Sequence, residues 1–295
     1  MKNQIILFVL FLAMQSVTVI AQNDKDTEDA KSYVLADVSY ISDAVFMGRR
    51  DSISVPYLLP TLGYFDKSGF YANASLSYLT RSNESRVDLS LITVGYNFTR
   101  KKFTTGVAGT AYFFNEDSYN VQSEILGGIT ATLGYDFKIL ETSLTASSYF
   151  NDNSDADFFI GLQLERTFYA LKKNLLIIPS LTVHAGSQYF YEEYYRNNRL
   201  GNGNRQGQGR EGMGAGGINS STVNIQEADQ FDILSYELSI PFHFYYKSFI
   251  FSFTPEFAFP QSTATIITEE EIFQEDLDNA FYWSLGISYW FYTKK

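Results

Sequence analysis

Residues 281–292 read FYWSLGISYWFY, and this stretch decides the fold class. Large apolar side chains occupy every second position, namely Phe281, Trp283, Leu285, Ile287, Tyr289 and Phe291. The positions between them hold serines, a glycine and further rings. A period of two is typical of a β-strand whose two faces meet different surroundings, and helical spacing does not fit it. The stretch therefore predicts a strand, longer than strands of soluble proteins usually are.

The same alternation recurs at 125–137, 158–165 and 234–244. Applied to the whole chain, it predicts about twelve strands. They lie near 34–46, 53–65, 69–79, 86–99, 103–114, 122–137, 140–150, 157–169, 176–191, 231–245, 249–262 and 279–292. Most of these segments are long enough for a tilted crossing of a bilayer.

The connections between these strands alternate in length. One set is short: 66–69, 100–102, 138–139, 170–175 and 246–248. The other set is longer and more polar: 47–52, 80–85, 115–121, 151–156, 192–230 and 263–278. Short turns on one rim and long loops on the other are typical of transmembrane β-barrels, whose short turns face the periplasm. The pattern predicts an all-β, closed, antiparallel up-and-down barrel with short periplasmic turns, long extracellular loops and both termini in the periplasm.

Rings near the predicted strand ends favour a membrane barrel over its alternative, a secreted soluble β-sandwich, which also alternates. Two aromatic groups are candidates for interfacial girdles: Tyr245, Tyr246 and Phe249 at a short turn, and Tyr189, Phe190, Tyr191, Tyr194 and Tyr195 at the opposite end. A sandwich would expose mostly charged and polar residues. The less apolar face here is instead Ser, Thr and Gly with scattered carboxylates.

The first 21 residues have the pattern of a cleaved secretory signal peptide. Lys2 precedes an apolar run from Ile5 to Met14, and Val19-x-Ala21 supplies small residues for cleavage. The organisation that follows from this is a signal at 1–21, a mobile segment at 22–33, a barrel at 34–292 and a short tail at 293–295.

Together, the signal, the long alternating strands and a last strand that ends in LGISYWFY resemble Gram-negative outer-membrane β-barrel proteins. The resemblance implies a location in the outer membrane, in contact with lipid and lipopolysaccharide. It also implies that the barrel-insertion machinery reads the last strand, although Thr293-Lys294-Lys295 follow the final aromatic residue. The resemblance covers 34–292 as an architecture and matches no subfamily with a known solute.

Composition excludes several classes of function. The formal net charge is −11, which argues against nucleic acid as a partner because phosphate binding needs a basic surface. Cysteine is absent and there are two histidines, so a Cys-ligated metal, a thiol nucleophile and a His-rich metal site are not expected. We predict no cofactor, no metal and no enzymatic activity.

Alternation also predicts which ionisable side chains line the lumen. These candidates are Arg86, Asp88, Glu165, His184, Glu237, His243 and Glu256. If two strands pair about a turn near Lys247, Glu237 falls close to Glu256, and two neighbouring carboxylates can bind a cation or share a proton. The alternative is that these charges are ordinary lining of a water-filled barrel.

Two loops carry opposite charge. The 192–230 loop is rich in glycine and contains Arg196, Arg199, Arg205 and Arg210, which form either an unstructured surface loop or a mobile basic arm. The 263–278 loop is acidic, lacks the spacing of an EF-hand and is predicted to be solvated. The arginines of the first loop are expected to pair weakly with the acids of the second.

All six prolines fall inside predicted strands, where each removes a hydrogen-bond donor from the ladder. They are Pro56, Pro60, Pro179, Pro241, Pro255 and Pro260. Pro60, Pro179, Pro241 and Pro255 lie at a similar height above the short turns, which predicts a kinked band that bends these strands and narrows the lumen beside His243 and Glu256. The alternative is that these strands are misplaced and that the barrel has fewer of them.

Three functions fit the sequence. The first is a passive or weakly cation-favouring channel for small hydrophilic solutes, because about twelve strands enclose more than a side-chain-filled interior. The second is a non-conducting barrel that presents surface loops for adhesion or envelope structure. An outer-membrane hydrolase, which would need a serine activated by a histidine, is the distant third.

Overall fold

The computed structural model describes residues 31–51, 54–81, 84–115, 118, 120–123, 125–151, 155–194, 224–226, 228–267, 272–275 and 277–293. The predicted signal peptide and the four loop arginines lie outside these residues. Among the described residues, no helix is long and apolar enough to span a membrane.

Most of the described chain is β-strand, in the order that the alternation predicts. The strands are β1 Tyr33–Ile41, β2 Tyr57–Phe65, β3 Phe70–Arg81, β4 Glu84–Arg100, β5 Phe103–Phe114, β6 Ile125–Asp136, β7 Glu141–Asn151, β8 Asp157–Glu165, β9 Phe168–Ala170, β10 Leu175–Ile177, β11 Ser180–Gly186, β12 Asn224–Ile225, β13 Asp232–Ser239, β14 Phe242–Tyr246, β15 Phe249–Pro260, β16 Thr265–Ile267, β17 Ile272–Gln274 and β18 Ala280–Tyr292. One short helix, α1, spans Tyr189–Tyr194.

Fifteen of these strands form one antiparallel sheet that closes on itself. Three crossings of the wall are each made of two strands, because β8 is followed by β9, β10 by β11 and β13 by β14 after short interruptions. The wall therefore has twelve crossings. Closure comes from β1, which pairs with β2 on one side and with β18 on the other. The predicted closed, antiparallel, twelve-stranded barrel is confirmed.

The outer face of the wall is apolar. Its middle exposes aliphatic side chains such as Leu62, Ile92, Val94, Leu133 and Leu285. Rings are exposed at the rim with the short turns (Tyr96, Phe98, Phe103, Tyr246, Phe249, Tyr289, Phe291) and at the rim with the long loops (Tyr78, Phe113, Phe150, Phe158, Phe257, Phe281). An apolar band between two aromatic girdles is the surface of an outer-membrane β-barrel, and we name the two ends the short-turn rim and the long-loop rim.

Part of the predicted girdle is wrong. Tyr246 and Phe249 are exposed, but Tyr245 packs inside the barrel with its ring 6.3 Å from that of Trp290. Phe190 and Tyr191 are buried because the predicted ninth strand ends at Gly186, and the chain then turns inward as α1. Tyr195 and the side chain of Tyr194 lie outside the described residues.

Two predicted boundaries also change. The first strand ends at Ile41 rather than near residue 46, since residues 43–49 are buried in the interior. The connection predicted at 80–85 is not long, because β3 and β4 remain paired up to Arg81 and Glu84.

Three prolines lie in the wall along one line, which we name the proline seam: Pro179, Pro241 and Pro255. Their carbonyls accept hydrogen bonds from Arg166, Ile178 and Ile240 of the neighbouring crossings, at 3.2, 2.9 and 3.2 Å. Pairing resumes beyond the seam in the same register, as Ser180↔Ser239 and Ile177↔Phe242 show for one pair of crossings. The predicted band is therefore confirmed only as ladder breaks at Pro179 and Pro241, whereas β15 runs through Pro255 without a break and pairs there with Trp283 of β18.

Candidate functional site

The connection between β1 and β2 folds into the barrel instead of projecting from it. Its tip is a tight hairpin in which Phe46 and Arg49 exchange backbone hydrogen bonds of 2.6 and 2.8 Å. Met47 and Gly48 between them have φ of 43° and 83°, the left-handed backbone of a two-residue turn. Position 48 requires glycine for two reasons. Its φ is in the left-handed region, and a Cβ there would lie 2.9 Å from Cα of Pro260.

This hairpin takes part in an apolar core that crosses the barrel interior near the long-loop rim. The Phe46 ring lies 4.9 Å from that of Phe190 in α1 and 5.7 Å from that of Phe159 in β8. In the ring of crossings, β8 stands opposite β2. The core also includes Leu89, Leu91, Tyr112, Tyr149 and Leu234 from the wall, and Met47, Tyr191, Ile225 and Ile266 from the connections. We name this set of residues the mouth core.

Arg49 fastens three connections to one another. Its guanidinium donates to Oε2 of Glu275 at 3.3 Å, to Oε1 of Gln188 at 2.5 Å and to the carbonyl of Ser262 at 3.0 Å. It also lies 4.7 Å from the centre of the Tyr191 ring, whose hydroxyl donates to Glu275. The Arg49 and Glu275 side chains are 1% and 4% exposed. Losing one partner of such a buried pair costs about 3–5 kcal/mol, because the other charge is left without compensation.

Glu275 corrects the prediction of a solvated acidic loop. Residues 272–274 form β17, which pairs with β16, and the Glu275 carboxylate is buried under the mouth. The described arginine that reaches it is Arg49, while the predicted pairing with the arginines of the 192–230 loop falls outside the described residues. Part of the predicted 192–230 loop is likewise internal, since Ile225 and Ala228 belong to the mouth core.

Asp157 holds α1 in place. Its carboxylate accepts hydrogen bonds from the backbone N–H groups of Tyr189 and Phe190 at 2.9 and 2.8 Å, and from Oγ of Ser187 at 2.7 Å. Nδ2 of Asn151 donates to it at 2.9 Å. The carboxylate thus satisfies donors at the start of the helix, as an N-cap does from within its own chain.

Below the mouth core the middle of the interior wall is polar, and an aromatic cluster of Phe65 and Tyr71, with Tyr33 and Trp290 packed nearby, lies inside near the short-turn rim. Buried inward residues include Thr61, Asn73, Ser75, Thr93, Thr132, Ser147, Gln163, Thr182, Ser284 and Ser288. Several hydroxyls bond one another across strands, as Thr61 and Ser75 do at 2.7 Å. The inward positions of the described wall strands below the core also carry acids but neither lysine nor arginine. The acids are Asp37, Asp136, Glu141, Glu165, Glu237 and Glu256.

The structure brings three of the predicted lumen candidates together just below the mouth core. Nε2 of His184 lies 3.4 Å from Oε2 of Glu237. Glu237 and Glu256 stand on paired strands, diagonally across one step of the ladder, because Glu237 faces Ala258 and Glu256 faces Ser239. Tyr282 donates to Oε2 of Glu256 at 3.2 Å, while Oε1 of this buried carboxylate has no hydrogen-bond partner.

The other candidates lie apart from this group. Arg86 and Asp88 pair with each other near the long-loop rim, with Nε of Arg86 3.1 Å from Oδ1 of Asp88. Glu165 sits opposite Glu141 near the short-turn rim and accepts from Gln163 at 2.6 Å. His243, on β14, is 4% exposed and faces Ser252 of the next strand.

The polar groups of this interior suit the solvation of water and polar solutes. Hydroxyls, amides and carboxylates offer water and polar solutes hydrogen bonds, and the carboxylates favour cations. Among the described residues, no group of three or more His, Cys, Asp or Glu side chains is arranged to hold a metal ion. Sequence reasoning missed Arg49, Gln188 and Asp157, since nothing local distinguishes them from exposed loop residues.

Comparison with solved structures finds barrels of similar fold. The KdgM porin matches with 7% identity, 86% of this chain, 98% of its own chain and a TM-score of 0.47. The NanC porin matches with 9% identity, 87% and 98% coverage and a TM-score of 0.46. An outer-membrane channel from Pseudomonas putida F1 matches with 10% identity, 92% and 98% coverage and a TM-score of 0.46.

No protein-family model matches the sequence. No curated protein matches it either. At these identities, the likeness to the solved barrels concerns the fold alone.

Proposed function

We propose that this barrel is a channel for small hydrophilic solutes, with a preference for cations, whose long-loop mouth must open before solutes pass. The observation that carries the proposal is the division of the interior into two zones. A polar, acid-bearing wall extends below the core, and an apolar core closes the mouth above it. The lower zone is lined with buried hydroxyl, amide and carboxylate groups, which can form hydrogen bonds with polar solutes once the mouth is open.

The fastening of the mouth supports an opening step. Its polar contacts converge on Arg49, which holds three connections that are far apart in sequence. Neutralising this one side chain would leave Glu275 buried without its charge partner, which favours the open arrangement in which Glu275 reaches water. The mouth therefore has one side chain through which closure can be tested.

Single-channel conductance in planar bilayers tests the proposal. The wild type is expected to conduct rarely, and Arg49→Gln is expected to raise the open probability at least about ten-fold, the equivalent of about 1.4 kcal/mol. Arg50→Gln is the matched control, because Arg50 is the next residue and its side chain is 41% exposed. In the open state, Glu237→Gln with Glu256→Gln should lower the cation preference at low salt.

The same recordings separate the channel from the second candidate. The filled mouth favours a non-conducting barrel that presents surface loops, if it never opens. Silence of both the wild type and Arg49→Gln, in protein shown to be folded, would establish this alternative and contradict the channel. Equal conductance of both proteins would show instead that Arg49 does not control the mouth.

A further inference from the structure

The lysines of this barrel occupy one rim. In the described part of the chain, every lysine lies on a short turn or next to the chain end at that same rim. They are Lys31, Lys67, Lys101, Lys102, Lys138, Lys172, Lys173 and Lys247. The long-loop rim carries Arg49, Arg50, Arg81 and Arg86 as its described basic residues, each within 4 Å of a carboxylate. The short-turn rim thus carries all of the described lysines together with Arg100, whereas the described basic residues of the long-loop rim are arginines paired with carboxylates.

Several of these lysines occupy turn positions whose backbone conformation is unfavourable for a residue with a side chain. Among the described residues, seven that are not glycine have positive φ, and five of the seven are lysines. They are Lys101, Lys138, Lys172, Lys173 and Lys247, with φ between 55° and 74°. Two-residue turns of this kind favour Asn and Gly, which enter the left-handed region without the strain that a longer side chain pays. Turn geometry therefore does not explain the lysines.

The ammonium groups lie at the level of the aromatic girdle. Lys247 is 5.4 Å from the centre of the Tyr246 ring, Lys102 is 5.7 Å from that of Tyr135, and Lys31 is 5.8 Å from that of Tyr292. Tyr246 faces outward and is exposed, and Tyr292 is exposed at the rim end of its strand. Since such rings sit at the boundary between acyl chains and headgroups, the lysines beside them stand among the headgroups.

These lysines do not form ion pairs with the described carboxylates of the barrel. None of the ion pairs between described residues includes a lysine. The carboxylate of Asp66, next to Lys67 in one turn, accepts hydrogen bonds from Ser68, Ser32 and Tyr64, and those from Ser68 are the largest cause of its lowered pKa. The lysine side chains are exposed, except for Lys102, which is half-buried.

We infer that this ring of lysines is a binding surface for the phosphate groups of anionic lipids in the leaflet that surrounds the short-turn rim. The lysines are positively charged, are mostly exposed and lie at the headgroup level of the membrane, as binding to such phosphates requires. They surround the whole barrel because every short turn carries at least one of them. Basic residues next to an anionic membrane surface attract it electrostatically, and salt weakens this attraction. The ring would fix the height and orientation of the barrel in its bilayer.

Spin-labelled lipids in reconstituted vesicles provide the test. The wild type is expected to prefer labelled phosphatidylglycerol over labelled phosphatidylcholine by about five-fold at low salt, the factor that one fully effective lysine contributes at an anionic surface. A five-fold variant with Lys101→Asn, Lys138→Asn, Lys172→Asn, Lys173→Asn and Lys247→Asn should lose this preference. The matched control replaces the same five lysines by arginine and should keep the preference.

Asparagine separates binding from a structural role. It suits left-handed backbone better than lysine, so the asparagine variant should be at least as stable as the wild type in a zwitterionic detergent. Equal preference of the wild type and the asparagine variant, or no preference in the wild type, would overturn the inference. So would lysine-dependent binding to isolated cell-wall sacculi in a protein without lipid preference, since the ring would then serve an acidic polymer.

Discussion

Single glycines determine where the large interior rings can lie. Three rings stand directly across the ladder from a glycine and lie over it. The pairs are Tyr71 with Gly95, Tyr149 with Gly128 and Phe159 with Gly186. A Cβ at Gly95 would come within 2.5 Å of the Tyr71 ring. A ring that lies over a glycine restores packing that the glycine lacks.

Gly95→Ala tests this packing at the scale of one methyl group. The added Cβ should displace the Tyr71 ring and lower the free energy of unfolding by about 1–3 kcal/mol, as overpacking does. Gly109→Ala is the matched control in the neighbouring strand, because no heavy atom lies within 4 Å of its Cβ position. Urea unfolding in lipid vesicles measures both variants. Equal stability of the two would show that Tyr71 moves aside without cost.

At this scale the sequence predicts faces well and partners poorly. Alternation indicates that Glu237 and Glu256 point the same way from adjacent strands, because the side-chain period of a strand is two. Alternation does not predict the contacts of Arg49, whose partners lie up to 226 residues away in the sequence. A charged residue in a polar connection looks solvated until its partner is known.

At the scale of the element, the proline seam divides the wall into panels of unequal strength. The segments at one side of the seam, β9, β10 and β14, have three, three and five residues. On another part of the wall, β4 has 17 residues and β5 has 12, and the two pair without a break from Leu89↔Phe114 to Arg100↔Phe103. Short ladders open locally more easily than long ones, because fewer hydrogen bonds must break together.

Amide hydrogen exchange should reveal this division. We expect backbone amides of β9, β10 and β14 to exchange about ten-fold or more faster than those in the middle of β4 and β5, which corresponds to about 1.4 kcal/mol in opening free energy. Peptide-resolved mass spectrometry of the barrel in one detergent measures both regions together. Equal protection would mean that the girdle side chains, rather than the ladder, set local stability.

Prolines made the seam predictable, whereas the connections escaped prediction. A proline has no backbone N–H, so its position in the sequence shows where a strand lacks a hydrogen-bond donor. The ends of β1 and β11 depend on where the chain turns inward, and that turn is stabilised by contacts with the opposite wall, such as Phe46 with Phe159. No local pattern records such a contact. The predicted number of strands is confirmed because it depends only on the alternation of side chains along the sequence.

At the scale of the whole molecule, closure should give the barrel resistance to dodecyl sulfate. A closed sheet pairs every strand on both sides and offers the detergent no open edge. Unheated protein should therefore migrate on a detergent gel at a different apparent size from boiled protein. A variant with Ser39→Pro, which places a proline in β1 between its two partner strands, should lose this difference. Identical migration of heated and unheated wild type would contradict the closed barrel.

The pairing of β1 with β18 has a consequence for how this chain reaches its final shape. Neighbouring crossings join residues close in sequence, whereas Tyr33 must find Tyr292 at the other end of the chain. The entropy of bringing such distant segments together has to be overcome before that contact contributes anything. Hairpins between neighbouring strands can form early. Until β1 pairs with β18, the sheet has two unpaired edge strands, and each of them can pair with a strand of another molecule. The nine residues of β1 thus set both the slowest step of assembly and the interval in which the nascent wall is most prone to aggregate.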